Sequence, residues 1–432
     1  MVQDLSDPCL SDNHSGRTPS MTERPHTESV RAAADALETA AAFRVRHNTA
    51  AVSRVTDSLL NGSLGQQPRI VDAAITRVLR SWVAQLWARG WLPVDVYQMA
   101  RRNRSDLAAN LAVDTIADNA AQYSAAAIHP RWREQLDELE AAQWWDPQQP
   151  HPSQWADRHG LDRGVMVNTM VELVALFMSM GNLPVIIPPP GRVAAGSAEQ
   201  NRSGIDERML GKIRALLAKA ESTTFSDEAE ALSAKAQELM ARHSIQRAMA
   251  EAPHQNSEAT ASRIWLEPPY VGAKSLLVAE VASANHCRTV SYEKLGFVTV
   301  LGDTADLEAV ELLSTSLMVQ ATRAMLGTGR QVTSTGRSRT RSFRHSFLIA
   351  YATRIGERLR EVTEENVAAT GAQLVPVFAR REQAVTDLFG ELFSGRIVKR
   401  SFSAGNADGY GAGRAAAEHA NLSTQRTSVE PT

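Results

Sequence analysis

The densest chemistry in the chain lies in Gly336-Arg337-Ser338-Arg339-Thr340-Arg341-Ser342-Phe343-Arg344-His345, where Arg337, Arg339, Arg341 and Arg344 place four guanidinium groups within eight residues. A guanidinium stays charged at any ordinary pH, and its planar fork matches phosphate and carboxylate oxygens. The run leads into the expected start of a helix, where free backbone N–H groups add to the attraction for phosphate. Arg380 and Arg381 follow, then Arg396, Lys399 and Arg400, so that 14 basic and 7 acidic residues lie between Arg323 and Arg400. Nucleic acid is the polyanion that this asymmetry suits, with no distinction drawn between DNA and RNA. An acidic protein partner would meet the same charges. The plainest alternative is a solvated loop whose charge serves solubility.

A second candidate is Gly405 to Arg414, where Asp408, Tyr410 and Arg414 could contact a ligand: arginine suits carboxylate or phosphate, and tyrosine supplies a hydroxyl. Gly409 and Gly413 are four apart, however, and on a helix they share a face that would let a neighbouring helix come close. His419, beyond them, reads as a surface or capping residue rather than a base. The motifs that usually announce catalysis are missing: there is no GxxxxGK[ST], no GxSxG, no HExxH and no CxxC. Zinc needs three or four ligands converging at about 2.0–2.3 Å. His243, His286 and Cys287 lack the usual spacing and could meet only through tertiary folding. No metal and no cofactor are expected, no catalytic residue can be named, and the chain leans away from an enzyme.

These side chains must be carried by helices for the most part. The clearest are in residues 205–249. Met209, Ile213, Leu216, Leu217 and Ala220 trace one helical face, and Ala229, Leu232, Ala236, Leu239 and Met240 trace another. Ser222-Thr223-Thr224 interrupts them, and Ser226 stands as an N-cap before Asp227, Glu228 and Glu230. Two helices so closely joined should pack antiparallel, and about forty residues bury too little area to stand alone. The blocks KIRALLAKAE (212–221), Thr224-Phe225, Glu228-Ala229-Glu230 and AQELM (236–240) resemble the domain-of-unknown-function family numbered 2786, a short module found mostly in bacterial and phage proteins. Residues from about 265 to 422 resemble the region that often accompanies it, through VTVLGDTADLEAVELL, RSFRHSFLIAYATRIGERL and DGYGAGRAAAEHANL. Neither resemblance implies a catalytic residue.

A chain of 432 residues suggests more than one core, and a formal net charge of −2 predicts no general affinity for nucleic acid, leaving only local patches. Cys9 and Cys287 are the only cysteines, which forms no disulfide framework and suits a reducing cytoplasm. The polar N-terminus lacks a secretory core, and the most apolar run, Val165 to Met180, is interrupted by Asn168, Thr169 and Glu172; it reads as a buried helix, and no membrane partner is expected.

The expected organisation is mainly α with a small α+β C-terminal domain: a disordered tail over 1–26 (Met1 and Met21 each offer a start), a helical region over 27–183, and a Pro/Gly/Ser linker over 184–204. The helical hairpin over 205–249 follows, then a linker over 250–262, an α+β domain over 263–422 with a basic loop at 327–340, and a tail over 423–432. In the helical region, Val71, Ala74, Ile75, Val78, Trp82 and Leu86 mark a helix over about 69–89, and Leu107, Leu111 and Ile116 one over about 105–124. Trp82, Trp87, Trp91, Trp132, Trp144, Trp145 and Trp155 read as core anchors, or else as an exposed surface for a protein partner. Toward the C-terminus, CRTVSY (287–292) and FVTVL (297–301) alternate as a β-hairpin, Asp303 or Thr304 caps a helix, and Phe343, Phe347, Tyr351, Ile355, Leu359 and Val362 form the buried stripe of another. The functional expectation is a non-catalytic binding module touching nucleic acid through residues 330–345. An enzyme using Asp408, Tyr410 and Arg414, or a scaffold using the tryptophans, are the alternatives. The residues do not indicate an oligomeric state.

Overall fold

A computed structural model describes residues 23–61, 67–192, 204–222, 232, 235–236, 238–240, 259–331, 338–395, 397–398 and 402–420, except 371–374. The chain divides into two compact units, one formed by Met1–Leu183 with Pro188–Val193 and the other by Pro184–Ile187 with Ala194–Thr432. It is mainly α, with one small antiparallel sheet in the second unit.

The first unit contains α1 (Glu23–Val45), α2 (Thr49–Asn61), α3 (Pro68–Ala88), α4 (Pro93–Asn103), α5 (Asp106–Ala120), α6 (Pro130–Glu138), α7 (His151–His159) and α8 (Arg163–Ser179). Proline opens α3, α4 and α6, where its fixed φ is already helical and its missing N–H costs nothing. Ser105 and Asp162 cap α5 and α8 by accepting from Ala108 N and Val165 N. The most apolar run of the chain becomes α8, buried along Val167, Met170, Val171, Val174 and Phe177 and packed by α1, α3 and α5. No described helix is long and apolar enough to cross a membrane.

The tryptophans are mostly core. Trp87, Trp91, Trp132, Trp145 and Trp155 are buried, and the indole N–H groups of Trp87 and Trp91 donate to Asn119 Oδ1 and to the Gly181 carbonyl. Trp144 is 38% exposed, with its N–H held between both oxygens of the buried Asp114, which also pairs with His151 Nε2 at 2.8 Å. The described residues therefore offer no surface patch built from several indoles.

The second unit contains α9 (Gly204–Ser222), β1 (Thr260–Trp265), α10 (Val271–Ala284), β2 (Arg288–Tyr292), β3 (Phe297–Gly302), α11 (Thr304–Gly327), α12 (Thr340–Thr370), α13 (Val375–Leu392) and α14 (Ala407–His419). The sheet order is β1-β3-β2, antiparallel throughout. Because side chains alternate, the register places Ser262, Ile264, Val298 and Val300 on one face, which joins the helical core. Ala261, Arg263, Trp265, Phe297, Thr299 and Leu301 point the other way, with Arg288, Val290 and Tyr292 of β2. On that second face α13 packs through Val385 against Ala261 and Leu301. Both sides of β3 are thus covered, and each of its residues is buried.

Described residues of the segment expected to form a hairpin join this same core. Ile213 and Leu217 of α9, and Ala236 and Met240 from the helical residues that follow, share one cluster with α10, α11 and α12. The turn around Phe225 lies outside the described residues. Two elements were not legible in advance. β1 begins inside residues read as linker, because it pairs with β3 and has no adjacent hairpin partner. The helix α13 carries a stripe of Val377 and Val385 broken by Arg381. The proline segment is packed as well: Ile187 is buried and the Pro184 carbonyl accepts from Arg263.

Candidate nucleic-acid interface

The arginine-rich loop between α11 and α12 is closed at its base. Arg339 N donates to the Gln331 carbonyl at 2.9 Å, and Gln331 N donates to Thr340 Oγ1 at 3.1 Å. Residues 332–337, Arg337 among them, lie outside the described residues. Beyond this neck, Arg339 and Arg341 are exposed, Arg344 is half-buried, and the His345 ring stands 6.5 Å from Tyr270. These cations surround the first turn of α12, whose positive pole adds to theirs.

Arg380 and Arg381 meet opposite fates. Arg380 is exposed on α13, whereas Arg381 is only 4% exposed and faces the buried Asp306 at 3.8 Å, joining α13 to α11. Arg381 is therefore a structural ion pair and not part of a surface. The signal is in the spacing: Arg381 sits four residues after Val377 and four before Val385, on the inward stripe.

The second candidate segment forms α14, which runs parallel to α12. Gly409 abuts the Phe343 carbonyl and Gly413 the Phe347 carbonyl, each step forward on one helix matching a step forward on the other. Asn406 starts α14, its Oδ1 accepting from Gly409 N at 2.8 Å while its own N–H donates to Ser346 Oγ at 3.0 Å. The two N-terminal poles consequently lie at one end of the unit, with Asp408 exposed beside them in the first turn of α14. Tyr410 and Arg414 are half-buried, and Arg414 pairs with Glu357 at 3.1 Å. The hydrogen bonds that Arg414 donates to Glu357 and Tyr410 raise its pKa. Burial disfavours the Glu357 charge, but hydrogen bonds from Arg414 and Arg354 outweigh it and hold that carboxyl below the usual range. Arg354 also binds Glu418, completing a charged seam along the two helices. Arg414 is thus already engaged by a carboxylate of its own chain. A cleft of about 340 Å³ between α9 and α11 is lined by Arg214, Leu217, Glu308, Glu311 and Thr315, among others, and by none of Asp408, Tyr410 and Arg414.

Of the three residues weighed as metal ligands, His243 lies outside the described residues, and no three His, Cys, Asp or Glu converge among the described ones. Cys287 is buried, which pushes its thiol pKa well above the ordinary value, with Asp306 and Asp303 adding to the shift. The neighbouring His286 stacks on Phe378 at 4.8 Å; burial, and then the charge of Arg381, lower its pKa from 6.5. A base whose folded pKa is depressed contributes stability that is full above about 6.5 and is lost as pH falls toward the folded value. The urea midpoint should accordingly fall between pH 7 and pH 5 more steeply for the parent than for His286→Asn, asparagine being tolerated at the positive φ of this position. Equal slopes would remove His286 as the cause.

Residues 208–247 match the family model described as "Protein of unknown function (DUF2786)". No curated protein and no solved structure matches the chain.

Proposed function

We propose that the protein is a nucleic-acid-binding module that grips backbone phosphates through Arg339, Arg341 and Arg344 at the head of α12, with Arg337 preceding them in the sequence. The observation that carries this reading is the concentration of exposed cations at the paired positive ends of α12 and α14. A solvated loop would need no closed neck at Gln331 and no neighbouring helix pole. The hairpin, resting on the unit's own core through Ile213, Leu217, Ala236 and Met240, serves in this reading as part of the scaffold. The sparse cysteines fit residence in a reducing cytoplasm.

Fluorescence anisotropy against labelled oligonucleotides over a salt series tests it. Each phosphate contact contributes roughly 0.7–0.9 to the slope of log affinity against log salt. The Arg339→Ala/Arg341→Ala/Arg344→Ala protein should therefore lose about 2–3 from that slope. An absence of binding by the parent protein at about 50 mM salt, where electrostatic contacts are strong, would end the reading.

A further inference from the structure

The second face of the sheet is covered in two different ways. At the Ala261 and Leu301 end, α13 lies across it. At the other end its own side chains roof it: Phe297, fully buried, lies under Tyr292 (ring centroids 4.8 Å apart, 28° between planes), Trp265 (5.0 Å) and the Arg263 guanidinium (5.5 Å). Tyr292 and Trp265 sit on the two outer strands and are each half-buried. Arg288 is exposed on the same face, over Phe389 at 4.2 Å. No acidic residue occupies any position of the three strands on this face.

We infer that this face binds the bases of single-stranded nucleic acid, which stack on Tyr292 and Trp265 while Arg263 and Arg288 neutralise the backbone. The inference rests on the phosphate-binding reading above and supplies its substrate class. Aromatic rings flanked by arginines at the end of a sheet face that no helix crosses suit unpaired bases, since a duplex hides the base faces inside its stack. A cationic partner is excluded by the arginines, and a purely apolar one has no use for them. The face is also within reach of the arginine cluster. Tyr270, whose ring neighbours His345, follows Trp265 by five residues, which an extended chain spans in at most about 18 Å. At roughly 3.4 Å per stacked nucleotide that is about five nucleotides.

The test compares binding of the full chain to a labelled twenty-nucleotide oligothymidylate, an oligouridylate of the same length and a duplex. Tyr292→Leu and Trp265→Leu keep an apolar roof over Phe297 but remove the rings. Combined, they should weaken binding to both single strands by about fivefold or more per ring, with duplex affinity and salt slope unchanged. A parent chain crosslinked to a 5-iodouracil oligonucleotide should be modified at Tyr292 or Trp265, a measurement that does not depend on whether the variants fold. Unchanged single-strand affinity in a folded variant, or crosslinks confined to other peptides, overturns the inference. If the arginine variant loses affinity for every ligand while the ring variant loses none, the phosphate reading stands and this one falls. If the parent chain binds none of the three, both fall.

Discussion

Gly413→Ala should cost the second unit about 2–3 kcal/mol, the upper part of the usual range for overpacking, and Gly409→Ala a similar amount. A Cβ at either position would come well within 3.0 Å of a main-chain carbonyl oxygen of α12, Phe347 in one case and Phe343 in the other. Backbone cannot rotate out of the way as a side chain can, so relief requires prising α14 from α12. That movement would also open the contacts of Ala417 and Ala420 with the core. Gly411 is the control on the same helix: nothing lies within 4 Å of its would-be Cβ, so alanine there should stabilise by about 0.5–1 kcal/mol through helix propensity. Urea titrations of the three variants should diverge in sign. If Gly413→Ala unfolds at the same midpoint as Gly411→Ala, the close helix contact is wrong.

Arg358→Met should destabilise by about 3 kcal/mol or more, since each buried carbonyl left without a donor costs roughly 1–3 kcal/mol. Arg358 is 7% exposed, and its Nη1 donates to the carbonyls of Ala417, Glu418 and Ala420. These carbonyls close the C-terminal end of α14, where no further turn exists to satisfy them and where a cation meets the negative pole. Methionine fills the volume but supplies no donor, and lysine, a point charge on one stem, should recover only part of the loss. The loss should appear as a lowered urea midpoint together with early amide exchange in α14. A variant with parental stability would show that water satisfies these groups equally well.

The helices were legible wherever burial follows a local period. The stripe from Phe343 through Phe347, Tyr351, Ile355 and Leu359 faces inward as the spacing predicts, and Asp303 caps α11 by accepting from Ala305 N. The four-residue spacing of Gly409 and Gly413 likewise announced a close contact, although not its partner. What escaped was set by distant chain. Thr260–Trp265 becomes a strand only because β3 offers it an edge, and a helix and another strand stand between the two in sequence. Arg380 and Arg381 are chemically identical neighbours, and only the rotation of an unrecognised helix sends one to solvent and the other to Asp306. The aromatic and arginine groups of the second sheet face escaped for a related reason. Arg263, Trp265, Arg288 and Tyr292 come from two strands that meet only through the third. The basic segment itself was plain from composition, because clustered charge needs no fold to be seen.

The parallel seating of α14 on α12 has a consequence for biosynthesis. The groove that accepts Gly409 and Gly413 is finished when Thr370 leaves the ribosome, but its occupant ends at His419. At about 5–20 residues per second, the intervening stretch takes roughly 3–10 s to be translated. Throughout that interval the nascent chain carries an uncovered flank along Phe343 and Phe347, so a holdase would be most needed then, and premature termination shortly before residue 406 would yield a sticky, degradation-prone product.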